Sequence, residues 1–212
     1  GEAQDASIYN AGVQYVQSGG VARNTQVLVG VQDVRGGSAY AAVLGYDGHQ
    51  WVSSGGYVEG TVVSSGGGLS VGMGGTAVGA QVQNSGYMEV QSGGTASSAS
   101  VTQSGIIRVY AGGSVMNTHI GAGEGGLLVA GGYAEGTVLS GGNLYADSGI
   151  VSGTQVYANG EMNIVSGASA FDTVVYSGYQ DVYSGAFASG TVVKGASNWQ
   201  DVYEGGTAVG TV

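Results

Sequence analysis

Apolar residues return along this chain in short bursts, alternating with polar or small residues, and each burst ends at Gly. Three stretches show the pattern: VSSGGYVEGTVV (52–63), VQSGGTASSASV (90–101) and VYEGGTAVGTV (202–212). They share the frame V-x-x-G-G-x-A-x-x-T-x-V, with Val also at the Ala position. With the Thr of this frame as anchor, the copies fall at Thr25, Ala42, Thr61, Ala80, Ala99, Thr118, Thr137, Thr154, Thr173, Thr191 and Thr211, at intervals of 17 to 20 residues. A fixed period of this length marks a repeat architecture. The chain therefore divides into eleven copies of about 19 residues.

Three apolar columns run through the copies. The first reads Val16, Val34, Val52, Val71, Val90, Val109, Leu128, Tyr145, Ile164, Val182 and Val202. The second holds only Ala or Val, from Ala22 and Ala39 to Ala188 and Ala208. The third follows the anchor by two residues, from Val27 and Leu44 to Val175 and Val193. Short β-branched segments punctuated by Gly predict strands and turns, three of each per copy. Helix is disfavoured, because each interior Gly costs about 1 kcal/mol there. A strand of three to five residues buries nothing alone, but stacked on its copies ~4.8 Å away it forms a continuous ladder. The fold predicted is all-β: a right-handed parallel β-helix of about eleven coils, roughly 50 Å long.

The turns follow the same logic. The residue before each anchor is Gly, Asn or Asp in all copies except Ala41 and Ser98, which predicts a left-handed backbone at one corner. The Gly55-Gly56 pair and its equivalents mark another corner. Copies eight to ten keep one Gly of this pair (Gly149, Gly167, Gly185), so one Gly and a small neighbour are expected to suffice. A fourth column, two residues before the first, reads Gln14, Gln32, Gln50, Leu69, Met88, Ile107, then Leu144, Met162, Gln180 and Gln200. Its parity points it inward, where the amides can form ladders. At the start, Ser7 is placed at an anchor and Tyr9 in the third column, making residues 1–11 a partial coil. Neither end supplies the polar capping coil that a solenoid requires. The expectation is one β-helical domain, 1–212, cut from a longer rod.

Composition narrows the function. Gly makes up 45 of 212 residues, with no Pro and no Cys. Collagen is excluded by the missing Pro and triplet period, and Cys-based scaffolds by the missing Cys. Four basic residues against 14 acidic ones, a net charge of -10, argue against nucleic acid as partner. A disordered Gly/Ser linker is excluded by a hydrophobic share of 42%. No apolar run approaches the ~20 residues of a membrane-spanning helix.

Candidate chemistry is sparse. Asp181 and Asp201 share an outward column one coil apart, about 5 Å, the separation of retaining glycosidase carboxylates. A solvated acidic flank is the simpler reading. Glu89 and Arg108 share that column and predict a cross-strand ion pair of about 0.2–1 kcal/mol. His49 and His119 lie about four coils apart and cannot share an ion, and no Ca²⁺ nonapeptide occurs. Lys194 lies in a strand context, not a phosphate loop, and no Ser-His-Asp set assembles. No catalytic residue, metal or cofactor is therefore assigned. Ice binding needs outward ranks of Thr, whereas the anchor column includes three Ala and adjoins inward positions. Two outward aromatic pairs, Tyr183 with Tyr203 and Tyr157 with Tyr176, are candidate sugar contacts, with ladder stacking as the structural alternative. Ser18, Ser54, Ser92, Ser166 and Ser184 precede the Gly corner, where nothing structural demands Ser. The equivalents elsewhere are read as Met73, Ala111, Ala130, Asp147 and Glu204.

The segments GGYVEGTVVSSGG (55–67), GGYAEGTVLSGG (131–142) and SGAFASGTVVKGAS (184–197) resemble the repeat of AIDA-type autotransporter passengers, and the likeness runs along essentially the whole chain. This resemblance implies a β-helical, self-associating adhesin displayed outside a Gram-negative cell. It also implies adhesion or autoaggregation and O-heptosylation of passenger Ser by a cytoplasmic heptosyltransferase. The partners implied are other passenger rods, surface glycans or proteins, and that transferase. The five corner Ser are the acceptor candidates. A polysaccharide-binding or polysaccharide-cleaving β-helix is the alternative.

Overall fold

A computed structural model describes residues 1–123 and 125–212. They form 32 strands, every ladder parallel, wound as a β-solenoid of about eleven turns. Each coil contributes three strands. In the fourth coil these are Gly68–Val71 on the first face, Thr76–Val78 on the second and Gln81–Val82 on the third. The second face is a sheet of 12 strands. The first and third faces join into a sheet of 20, because Gln26–Arg35 and Val43–Ser53 run unbroken around the corner between them.

The second column stacks as expected, Ala22 on Ala39 on Val58 and so on to Ala208, and is buried throughout its central coils. So does the third, from Val27 through Leu44 to Val193. The first needs correction in coils seven and eight: Val109 pairs with Val129, Val129 with Ala146, and Ala146 with Ile164. Leu128 and Tyr145 point outward instead, paired with each other. The cause is a first corner one residue shorter in these coils, at Gly131-Gly132 and Ser148-Gly149. At the chain start, Ile8 pairs with Val27 and the backbone carbonyl of Ala6 accepts from Gln26, so Ala6 takes the anchor place and Tyr9 is exposed.

All eleven residues preceding the anchor have positive φ, including Ala41 (52°) and Ser98 (55°). The stack imposes this corner even where the side chain opposes it. The Gly-pair corner makes two distinct demands, so neither position is strictly Gly. Its first residue is left-handed, as at Gly55 (83°) or Ser148 (55°). Its second lies against the coil before: a Cβ on Gly75 would stand 2.3 Å from the Val52 carbonyl oxygen. Coils nine and ten place Ala168 and Ala186 there.

The Thr anchors from Thr25 to Thr191 are buried, not ranked on the surface, and only Thr211 in the last coil is exposed. The Gln column is inward, with Gln32, Gln50 and Gln180 fully buried. Gln32 donates to Gln14 Oε1 at 2.7 Å, Gln50 donates to Gln32, and Thr61 donates to Gln50 Oε1 at 2.8 Å. At the other end Gln200 donates to Gln180 Oε1 at 2.6 Å, and Thr191 to the same oxygen at 2.8 Å. Between these ladders the column is apolar. There the buried hydroxyls of Thr118, Thr137 and Thr154 have no partner among the described residues.

Candidate functional site

The first corner carries the five candidate acceptors. Ser18, Ser54, Ser92, Ser166 and Ser184 are all exposed. Ser54 and Ser166 are themselves left-handed, with φ of 52° each. Because coils seven and eight have the short corner, the residues standing in this row are Gly131 and Ser148, not Ala130 and Asp147. The Ser148 hydroxyl donates to Asp147 at 3.1 Å and to the Ser166 carbonyl at 2.9 Å, which ties two corners together. The third corner adds turn serines not expected from the sequence: Ser85 and Ser104 stack one coil apart, with φ of 64° and 63°, while Ser65 (51°) stands one residue earlier, beside Asn84. Ser85 and Ser104 each precede a closely packed Gly, as in Gln-Asn-Ser-Gly, and that Ser-Gly step was the available signal.

Both aromatic pairs stack. The rings of Tyr157 and Tyr176 lie 4.6 Å apart at 4°, and those of Tyr183 and Tyr203 4.6 Å apart at 5°. A third stack, Tyr179 on Trp199 at 5.3 Å, was not anticipated. The pairs are not equivalent as ligand surfaces. Lys194 Nζ lies 4.6 Å from the Tyr176 ring centre, capping that stack by a cation–π contact. Tyr183 instead bounds an open groove of 690 Å³ that crosses coil nine.

The acids divide by burial. Asp181 pairs with Asn163 on one side and Asp201 on the other, as the columns predicted. Its residue exposure is only 7%, one oxygen accepts from the Tyr183 hydroxyl at 3.3 Å, and Oδ1 is unpartnered among the described residues. Burial, with the charges of Asp201 and Glu161 behind it, raises its carboxyl above the ordinary value, while the Tyr183 bond opposes the shift. Tyr179 donates to Glu161 at 2.8 Å, and this bond pushes the phenol up to about 12. A buried, capped Asp181 does not present a carboxylate pair to a glycosidic bond.

Glu89 and Arg108 are neighbours in the ladder but form no ion pair: Tyr110 donates to Glu89 at 3.2 Å instead. The ion pairs among the described residues are Arg23–Glu2 at 2.9 Å and Arg35–Asp33 at 2.7 Å. His49 meets Tyr87 at 3.2 Å across two coils, possible because Gly68 lies between them without a side chain. No group of three or more His, Cys, Asp or Glu arranged to hold a metal occurs among the described residues.

No protein-family model matches the sequence, and no curated protein does. Among solved structures, the chain is similar to the TibC-catalysed hyper-glycosylated TibA55-350 fragment, at 28% identity and a TM-score of 0.58. The likeness covers 100% of this chain and 97% of that one. The chain has the fold of an AIDA-like autotransporter passenger. With that fold the stacked corners set outward hydroxyls at Ser18, Ser54, Ser92, Ser148, Ser166 and Ser184 along one edge of an adhesin-like β-helix.

Proposed function

We propose that this chain is a segment of a bacterial cell-surface adhesin passenger. It is exported from a Gram-negative cell and mediates adhesion and autoaggregation through the repeated faces of its rod. We further propose that its turn serines accept O-linked heptose from a cytoplasmic autotransporter heptosyltransferase. The observation that carries this reading is the end-to-end likeness to a glycosylated passenger fragment, joined to corner serines exposed in coils one, three, five, nine and ten.

The physical basis of adhesion is multiplicity. A weak polar contact repeated at every ~4.8 Å rung adds along the rod, so avidity takes the place of one strong site. A transferase that recognises the turn likewise meets the same backbone geometry at full-length first corners such as those of Ser54 and Ser166.

Intact mass after co-expression with a passenger heptosyltransferase tests the modification. The expected result is a ladder of heptose increments that shortens when Ser54, Ser92 and Ser166 are replaced by Ala. A mass equal to the bare sequence would sink the acceptor role.

A further inference from the structure

Ladder stacking explains the face that Tyr183 turns to Tyr203. It does not explain the opposite face, which looks across coil nine. In a continuous aromatic ladder the next rung would hold another ring, but it holds Val165. Beyond it, on coil eight, that column holds Asp147, and the outward Tyr145, 45% exposed, stands two residues to the side on Asn163. Tyr145, Asn163, Val165, Tyr183 and Tyr203 line the groove. Ser166, Ser184 and Glu204 stand at the rim.

We propose that this groove binds one neutral pyranose unit of a glycan. The proposal deepens the adhesion part of the function above by naming a contact site and ligand class. Four observations carry it. Tyr145 and Tyr183 stand two rungs apart, ~9.6 Å along the rod, and two residues apart along the strand, so they flank Asn163 and Val165 diagonally and offer aromatic surface on both sides of a ligand lying across coil nine. The volume of 690 Å³ lies within the usual range of small-molecule sites, about 300–1,000 Å³. The polar groups suit a polyol: Asn163 donates its own amide hydrogen to Glu161 at 2.7 Å, which leaves Oδ1 to accept from a sugar hydroxyl. Finally, Asp147, Glu161, Asp181, Asp201 and Glu204 surround the site, and the one cation on coils eight to eleven, Lys194, is held over Tyr176. Sialylated, uronic and phosphorylated sugars are repelled. A second groove shares Tyr145 and carries Arg108 and Asn143, but Ile106, Gly126, Leu127 and Leu128 make its lining more apolar.

Saturation-transfer NMR on the 212-residue chain tests the site, with lactose, cellobiose, mannotriose and chitobiose as neutral probes and 3′-sialyllactose as the anionic one. At least one neutral probe is expected to bind, and the sialylated probe is not. Tyr183→Ala and Tyr145→Ala should each weaken binding by about tenfold, the upper range for one aromatic contact. Tyr133→Ala, on the second face, should leave binding unchanged. Val165→Tyr fills the groove while extending the aromatic ladder, so it should abolish binding in a rod that melts no lower than the parent. The proposal is overturned if no neutral probe binds, or if binding survives Val165→Tyr. Cells that display the rod and still aggregate, while the purified chain binds no probe, would retire this site and leave the adhesin reading standing. Glycan binding by rods that neither aggregate nor adhere would do the reverse.

Discussion

At the scale of single residues the coil dictates backbone geometry and the side chain complies. Ala41 and Ser98 occupy a left-handed corner that their nine counterparts fill with Gly, Asn or Asp. An L-residue with a Cβ pays about 1–2 kcal/mol there, and Gly gives part of this back through its greater freedom in the unfolded chain. Ala41→Gly and Ser98→Gly should therefore each stabilise the rod by about 0.5–1 kcal/mol, seen as a higher urea midpoint. Asp181 is the opposite case, a charge held where water is scarce. Its raised carboxyl means that the folded chain binds this proton more tightly than the unfolded chain does. The penalty is full at neutral pH, falls as the pH drops through the raised value, and is gone below the ordinary value. Asp181→Asn should melt higher than the parent at pH 7, with the difference closing on acidification. An advantage that stayed constant to low pH would show that charge is not the cause.

At the scale of the strand and its turn, period and parity made most of the rod readable. Inward columns such as Ala22 to Ala208 are unambiguous because each apolar residue has polar or small neighbours. That signal failed at Leu127-Leu128-Val129-Ala130, where every residue is apolar and alternation cannot give the phase. The interval from Thr118 to Thr137 is still the usual 19 residues, because the shortened first corner is offset by an extra residue before it. Anchor spacing therefore concealed the shift of Val129. The 17-residue interval from Thr137 to Thr154 does show that coil eight is short, but not which corner lost the residues, and so not the place of Ala146, Ser148 or Tyr145. The groove was illegible for the same reason, since Tyr145 had been assigned to the core. Internal polarity was half legible: parity put the Gln column inside, but not which Thr would find a partner. Thr137 lies buried in the coil whose inward column holds Leu127, and its hydroxyl has no partner among the described residues, whereas Thr191 donates to Gln180. Thr137→Val should stabilise by about 1 kcal/mol, and Thr191→Val should destabilise by about the same, a difference of sign that paired denaturation curves resolve.

At the scale of the molecule, the rod carries -10 net charge on a surface of nearly identical rungs. Like charges on neighbouring rungs stand ~4.8 Å apart, and outside the Asp181–Asp201 pair the sequence limits this by keeping charge to 8% of residues and varying its position from coil to coil. Two such rods approaching side by side still repel. Raising the salt from about 20 mM to about 500 mM shortens the screening length several-fold, so lateral association should increase with salt in light scattering. Association that weakened with salt would point to ion pairing between rods. Self-similarity also poses a problem of alignment during folding. A ladder of Val and Leu has almost the same energy if the chain skips a rung, so uniform columns do not define which coil sits on which. The buried amides remove this degeneracy. Were coil two to stack on coil four, Gln32 Oε1 would face Leu69 and lose the donor it takes from Gln50, at about 1–3 kcal/mol for an unmet buried acceptor. The two Gln–Thr ladders thus give an otherwise repetitive molecule a reading frame, set near each end of the described rod.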